Sequence, residues 1–280
     1  MYDSNGKVNG NVTLRAVLKD EFGNPLSGKP VKFYVDGEYV GGTVTNSEGV
    51  AAIQYTVNIS TGIHVITAEF VGGPNYGPSE DRAELMIERI FTELVMDNTS
   101  AKVGSNVTLK ALLVDEFGNP LAGKPVKFYV DGQYVGGTVT NSEGVAAIQY
   151  TVNVPAGTHV ITAEFIGGPT YNYTETKAKL LAYTYSTTMI VYDTSGEPGA
   201  PVTLKAVLVD EFGNPLSGKP VKFYVDGQYV GGTVTNSEGV AAIQYTVNVP
   251  AGTHVITAEF IGGPTYGPSN GVATLEVIPI

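Results

Sequence analysis

The chain of 280 residues has no cysteine and no tryptophan. The first absence excludes disulfides, thiolate nucleophiles and thiolate metal centres. The two together exclude an antibody-like domain, in which a disulfide between the sheets packs on a buried tryptophan. No apolar run reaches the 18 residues of a membrane-spanning helix, and nowhere do apolar residues recur with a helical period. Cations are in deficit, with 16 Lys and Arg against 27 Asp and Glu, a net charge of −11. Nucleic acid and anionic membranes both need a cationic surface, so neither is expected as a partner. No phosphate-binding loop, nucleophile elbow or His-rich metal cluster occurs, so no enzyme is expected. The opening "MYDSNGKVNG" lacks the charged and apolar regions of an export signal, which we expect to be removed or to lie outside this stretch.

Glycine (35) and proline (16) are plentiful and point to many turns, while an apolar fraction of 42% suffices for packed cores. The segment "VDEFGNPLSGKPVKFYVDGQYVGGTVTNSEGVAAIQY" begins at Val209, and begins again at Val114 with one substitution and at Lys19 with two. A 95-residue period divides the chain into three repeats, 1–90, 91–185 and 186–280.

The central repeat shows the pattern. In "NVTLKALLV", Val107, Leu109, Ala111 and Leu113 share one face, as in a half-buried strand. "EFGNPLAGK" is a turn, and "PVKFYVDG" places Val126, Phe128 and Val130 inward before Asp131-Gly132 closes a hairpin. Gly136-Gly137 marks a bulge or bend in the next strand. Ala146, Ile148, Tyr150 and Val152 line another strand, and His159, Ile161, Ala163 and Phe165 the one after. "FTELVM" opens the repeat and "AKLLAY" closes it. Seven or eight short strands at such spacing predict an all-β fold of three tandem immunoglobulin-like antiparallel β-sandwiches in an elongated rod.

The order "GKPVKFYVDG", "GVAAIQYT", "AGTHVITAEFIGGPTY" resembles the group 3 bacterial immunoglobulin-like repeats, which occur as tandem arrays in prokaryotic surface proteins and adhesins. The resemblance spans nearly all of each repeat. It implies a secreted, extracellular stalk or adhesin module and brings no catalytic residues.

At "LMIERIFTELVM" and "KLLAYTYSTTMIVY" one repeat runs into the next without a Gly/Ser or Pro-rich linker, so we expect restricted swing. At about 3.3 Å per strand residue, each sandwich adds roughly 35–40 Å. Repeat 1 has almost no counterpart of the opening strand. This suggests either a window cut from a longer array or a groove filled by a neighbouring molecule, with Leu275, Val277 and Ile280 as the donor strand.

The three histidines, His64, His159 and His254, fall at one repeat position after a turn. We read each as tying a corner through a backbone hydrogen bond. The pairs Asp20-Glu21, Asp115-Glu116 and Asp210-Glu211 read as solvated turn carboxylates; a weak calcium site there, or at a junction, is the alternative, and no other cofactor is expected. Lys110 and Lys205 alternate outward and Arg15 replaces them in repeat 1, which argues against isopeptide bonds. Outward Tyr39, Tyr129, Tyr134, Tyr224 and Tyr229 form an aromatic stripe suited to glycans or proteins on other cells. Asn11, Asn58, Asn98, Asn106 and Asn172 head N-glycosylation sequons. Between Asp115 and Tyr171, repeats 2 and 3 differ only at Ala122/Ser217, loops included. Sites for different ligands would diverge there. The sequence therefore favours a rigid spacer or filament segment over an adhesin module, with adjacent repeats or further copies as its neighbours.

Overall fold

The computed structural model describes residues 1–279, and all regular structure among them is β. Repeat 1 holds β1 (Ser4–Lys7), β2 (Asn11–Val17), β3 (Pro30–Val35), β4 (Glu38–Val44), β5 (Val50–Thr56), β6 (Gly62–Phe70) and β7 (Ser79–Glu88). Repeat 2 holds β8 (Thr92–Val95), β9 (Thr99–Lys102), β10 (Asn106–Asp115), β11 (Pro125–Val130), β12 (Gln133–Val139), β13 (Val145–Thr151), β14 (Gly157–Phe165) and β15 (Thr174–Tyr183). Repeat 3 holds β16 (Thr187–Val191), β17 (Thr194–Gly196), β18 (Pro201–Asp210), β19 (Pro220–Val225), β20 (Gln228–Val234), β21 (Val240–Thr246), β22 (Gly252–Phe260) and β23 (Ser269–Val277).

Each repeat is a two-sheet sandwich. In repeat 2 a three-stranded sheet, β13-β10-β8, faces a five-stranded sheet, β12-β11-β14-β15-β9, and repeat 3 repeats this order. The alternation read from sequence is the packing: Leu109, Ala111, Leu113, Phe128, Ile161 and Leu180 are all sealed from solvent. Burying a side chain of this size contributes roughly 1.5–3 kcal/mol, which is how the core holds without disulfides. Asp131 and Gly132, at φ 48° and 80°, make the type I′ turn that suits a two-residue hairpin. The β11–β12 register slips between Phe128 and Tyr129, which is the bulge the glycine pair signalled. Gly144 (φ 74°) closes the "SEG" turn, where a Cβ would stand 2.6 Å from the carbonyl oxygen of Leu113, so that position needs glycine.

The opening segment does more than the sequence suggested. It pairs antiparallel with β10 as β8, crosses to the other sheet, and pairs parallel with β15 as β9. The Asn98 side chain holds the crossing by accepting the Lys179 N–H at 2.8 Å; Asp3 and Asp193 do the same to Glu84 and Thr274. In repeat 1 the described residues include only the second half. β1 pairs with β7, but β2 pairs with β5 alone, leaving a two-stranded sheet.

The accessible surface is 15001 Å². A single compact globule of 29.4 kDa would expose about 11,500 Å², and three separate globules of a third that mass about 15,500 Å². The repeats therefore touch through small junctions.

Candidate functional site: the junctions between repeats

Two short linkers join the sandwiches, and each is stitched to the repeat that follows. After β7, the Ile90 N–H donates to the carbonyl of Thr170 at 2.8 Å, and the Asn172 N–H donates back to Ile90 at 3.0 Å. The Glu116 N–H donates to the Phe91 carbonyl at 3.0 Å. The Thr92 hydroxyl donates to the carbonyl of Asn172. After β15 the pattern recurs: the Tyr185 N–H reaches Thr265 and the Gly267 N–H reaches Tyr185, both at 2.8 Å. Thr187 takes the part of Thr92, donating to Gly267. The glycine-rich loop after β14 or β22 thus serves as a clasp for the incoming chain.

A charged contact crosses each junction. Lys7, at the end of β1, pairs with Glu116 of repeat 2, its Nζ 4.9 Å from the centre of the Phe91 ring. Lys102, at the end of β9, pairs with Glu211 of repeat 3, its Nζ 4.5 Å from the Tyr185 ring and 5.5 Å from Phe212. The Lys102 and Glu211 side chains are 23% and 25% exposed, so solvent screens them less than a free surface pair. Two aromatic rings complete this joint, Tyr185 lying 5.9 Å from Tyr266 and 6.4 Å from Phe212. Sequence reasoning missed Lys7, Lys102, Phe91 and Tyr185 and placed Glu116 and Glu211 in calcium candidates. The readable signal was a charge reversal: the position held by Lys7 and Lys102 is Glu197 in repeat 3.

The turn carboxylates themselves are occupied. Asp115 Oδ1 accepts the N–H groups of Phe117 and Asn119, both at 2.9 Å, while Oδ2 accepts the Asn119 side-chain amide at 3.0 Å. Asp20 and Asp210 make the same three bonds. The Asn24 amide beside it holds Asp20 below its ordinary pKa. Desolvation pushes Asp115 and Asp210 upward, and the Asn119 and Asn214 bonds more than offset it. Glu21, the counterpart of Glu116 and Glu211, is exposed.

The histidines tie corners, with a partner the sequence reading did not see. In repeat 1, His64 Nε2 donates to the Ser60 carbonyl at 2.8 Å, and Nδ1 donates to Asp36 Oδ2 at 2.6 Å. His159 makes the same pair with Pro155 and Asp131, and His254 with Pro250 and Asp226. Both ring nitrogens face acceptors, so the imidazolium alone satisfies both. The hydrogen bond to the aspartate accordingly raises the pKa of each histidine above its usual value. These aspartates are the hairpin residues at positive φ, and each also accepts a backbone N–H, from Val65, Val160 or Val255.

Residues 94–182 and 190–278 each match the family described as bacterial Ig-like domain (group 3). The chain belongs to that family. A curated relative, the inverse autotransporter adhesin YeeJ of Escherichia coli (strain K12), is 30% identical over 267 residues, 90% of this chain. Those residues span 11% of the relative's length. Among solved structures, the chain is similar to invasin, a bacterial integrin-binding protein, at 19% identity and a TM-score of 0.40, covering 99% of this chain and 59% of that one. It is also similar to the Escherichia coli adhesin FdeC at 18% identity and a TM-score of 0.35, covering 97% and 93% of the two chains.

The remaining candidates take their places on these group 3 Ig-like repeats. Tyr39, Tyr134 and Tyr229 are about three-fifths exposed, each edge-on to Tyr34, Tyr129 or Tyr224 at 5.7–5.8 Å. The inner tyrosines donate to Glu69, Glu164 and Glu259. Lys110 is exposed; Lys205 and Arg15 lie over the rings of Tyr192 and Tyr2. Asn11, Asn58, Asn98 and Asn106 are exposed, and each uses its side-chain oxygen as an acceptor, leaving Nδ2, the glycan attachment atom, out of that bond. Asn172 is half-buried in the linker clasp. One expectation is corrected. Leu275 and Val277 are sealed in the core of repeat 3, paired with β22 and β17, so neither can serve as a donor strand without dismantling its own sandwich. Ile280 lies outside the described residues.

Proposed function

We propose that repeats 1–90, 91–185 and 186–280 form a stiff spacer in an extracellular surface protein, with reach set by the number of sandwiches and no enzymatic role. The observation that carries this reading is the recurrence of one junction, linker clasp and Lys–Glu pair together, at two places 95 residues apart. Repetition of a joint matters to a rod and is of no use to a single active site. The kinship with a surface adhesin supports the setting, the cell exterior. Calcium plays no part in this reading, because both carboxylate oxygens of each turn aspartate are already engaged by neighbouring N–H groups.

Small-angle scattering on the 280-residue protein tests it. The spacer reading expects a maximum dimension of about 110 Å and a narrow distribution, from three strands' lengths end to end. Lys7→Glu with Lys102→Glu should broaden that distribution. A wild-type chain already as broad as the double variant would overturn the stiff-spacer reading.

An adhesin module is the second reading, favoured by the exposed tyrosine of each sandwich. Aromatic rings flanked by carboxylates suit glycans, and glycan-array binding lost on Tyr39→Ala, Tyr134→Ala and Tyr229→Ala together would establish it.

A further inference from the structure

Repeats 2 and 3 differ in how the chain crosses from one sheet to the other. In repeat 3, β16 stays paired with β18 as far as Val191, opposite Ala206, and the Tyr192 N–H then donates to the Lys205 carbonyl at 3.1 Å. The Tyr192 ring lies against the Lys205 ammonium, 5.0 Å from it. Repeat 1 closes in the same way: the Tyr2 N–H reaches the Arg15 carbonyl at 3.2 Å, and its ring lies 5.4 Å from the guanidinium. In repeat 2 the residue at this position is Asp97. β8 leaves β10 one residue earlier, at Val95 opposite Leu112. Among the described residues no hydrogen bond joins Asp97 to Lys110, and no ring lies against Lys110.

An opening of about 320 Å³ results, walled by Asp97, Thr108 and Lys110 and floored by the buried Leu109 and Ile161. The facing sheet explains the difference. Gly271 of β23 lets β16 lean in, since a Cβ there would stand 2.4 Å from the Met189 carbonyl oxygen. Repeat 2 has Thr176 at that position, so β8 cannot come as near.

We propose that this opening is a binding site for a small aromatic amine, a single ring carrying a short ammonium arm. The sister repeats define the place of the ring, because each sets an aromatic face against the same cation, which attracts it. What repeat 2 adds is a carboxylate in place of the phenol, beside a Lys110 carbonyl that the crossing chain does not use. Those oxygens accept the protons of the arm, and the apolar floor takes the ring. The Lys110 ammonium repels a second cation, which puts the arm on the Asp97 side. A volume of this size lies at the low end for small-molecule pockets and suits one ring. The site goes beyond the spacer reading, since nothing in it depends on how the repeats stack.

The probe is tyramine, titrated into the full chain and followed by amide NMR shifts. A ligand of this size should bind with a dissociation constant of about 1–10 mM. Shifts should appear at 96–99 and 108–111 and be absent at 191–194 and 203–206, where Tyr192 already lies on Lys205. The neutral p-cresol should move the same amides about fivefold more weakly, and the anionic 4-hydroxyphenylacetate more weakly still. Asp97→Tyr, at an exposed position, should close the site and abolish every shift. Asp97→Asn should bring tyramine down to the level of p-cresol and leave p-cresol as it was. No shift at several times the expected constant, equal shifts in repeat 3, or tyramine binding that survives Asp97→Tyr overturns the proposal. Binding of the anion as tight as that of the amine overturns the assignment of the arm to Asp97.

Discussion

Leu18 and Leu113 occupy one position in two nearly identical sandwiches, yet Leu113 is sealed while Leu18 reaches solvent. The residues beneath them agree: Val31 and Phe33 repeat as Val126 and Phe128. What differs is one neighbouring strand of four residues, β8. The comparison teaches that the core of this fold is completed by the linker, so a repeat depends on the chain that enters it. A junction is therefore at once a hinge and a piece of the next sandwich.

The strongest way to break the comparison is to make repeat 2 resemble repeat 1. Leu94→Asp puts a carboxylate where Leu94 meets Leu113, and burying it unpaired costs several kcal/mol, so β8 should leave the sheet. Hydrogen exchange at 147–150, in β13, should report a loss of about 4 kcal/mol in opening free energy, with 52–55 in β5 unchanged. An unaltered β13 would mean that β8 contributes little to the core. Next in size, Leu113→Ala should cost about 3 kcal/mol and Leu18→Ala about 1 kcal/mol, because only the first leaves a closed cavity. Equal costs would show that repeat 1 closes its edge in solution. Smaller again, Lys102→Glu should loosen the second junction by about 1 kcal/mol, and adding Glu211→Lys should restore it. Inter-repeat distances from paired spin labels check both; a loss that the second substitution does not repair would assign the joint to its aromatic contacts instead.

The strands and the hairpin at Asp131-Gly132 were legible, because alternation and turn chemistry are local. The pairings that bring function together were not. Lys7 and Glu116 are 109 residues apart, Asn98 and Lys179 are 81 apart, and Asp36 and His64 are 28 apart. No local pattern links such pairs; each depends on how two sheets face one another. Asp36 was hidden by a second cause, since Asp-Gly already explained itself as a turn. The tail misled for the opposite reason: Leu275 and Val277 are apolar and near the end of the sequence, but their alternation is that of an ordinary core strand.

The corners give the finest test, because repeats 1 and 2 share their hydrogen-bond geometry although Ser60 stands where repeat 2 has Pro155. His64 and His159 each meet their aspartate at 2.6 Å and their carbonyl at 2.8 Å, open edge or not. The aspartate raises each histidine above its usual 6.5, so that contribution to stability is complete below about pH 6.5 and is lost as pH rises through the higher folded value. The His64 bond lowers Asp36, and at Asp131 the Val160 N–H leads with His159 second; this contribution is present above about pH 3.8 and lost as pH falls through the folded value. The corner is therefore strongest between those two limits. Proton NMR titration should place all three histidines above 6.5, and Asp36→Asn should return His64 toward 6.5 while speeding exchange at the Val65 amide and sparing His159. A His64 that already titrates lower than His159 in the wild-type chain would mean that the open edge is felt across the whole of repeat 1.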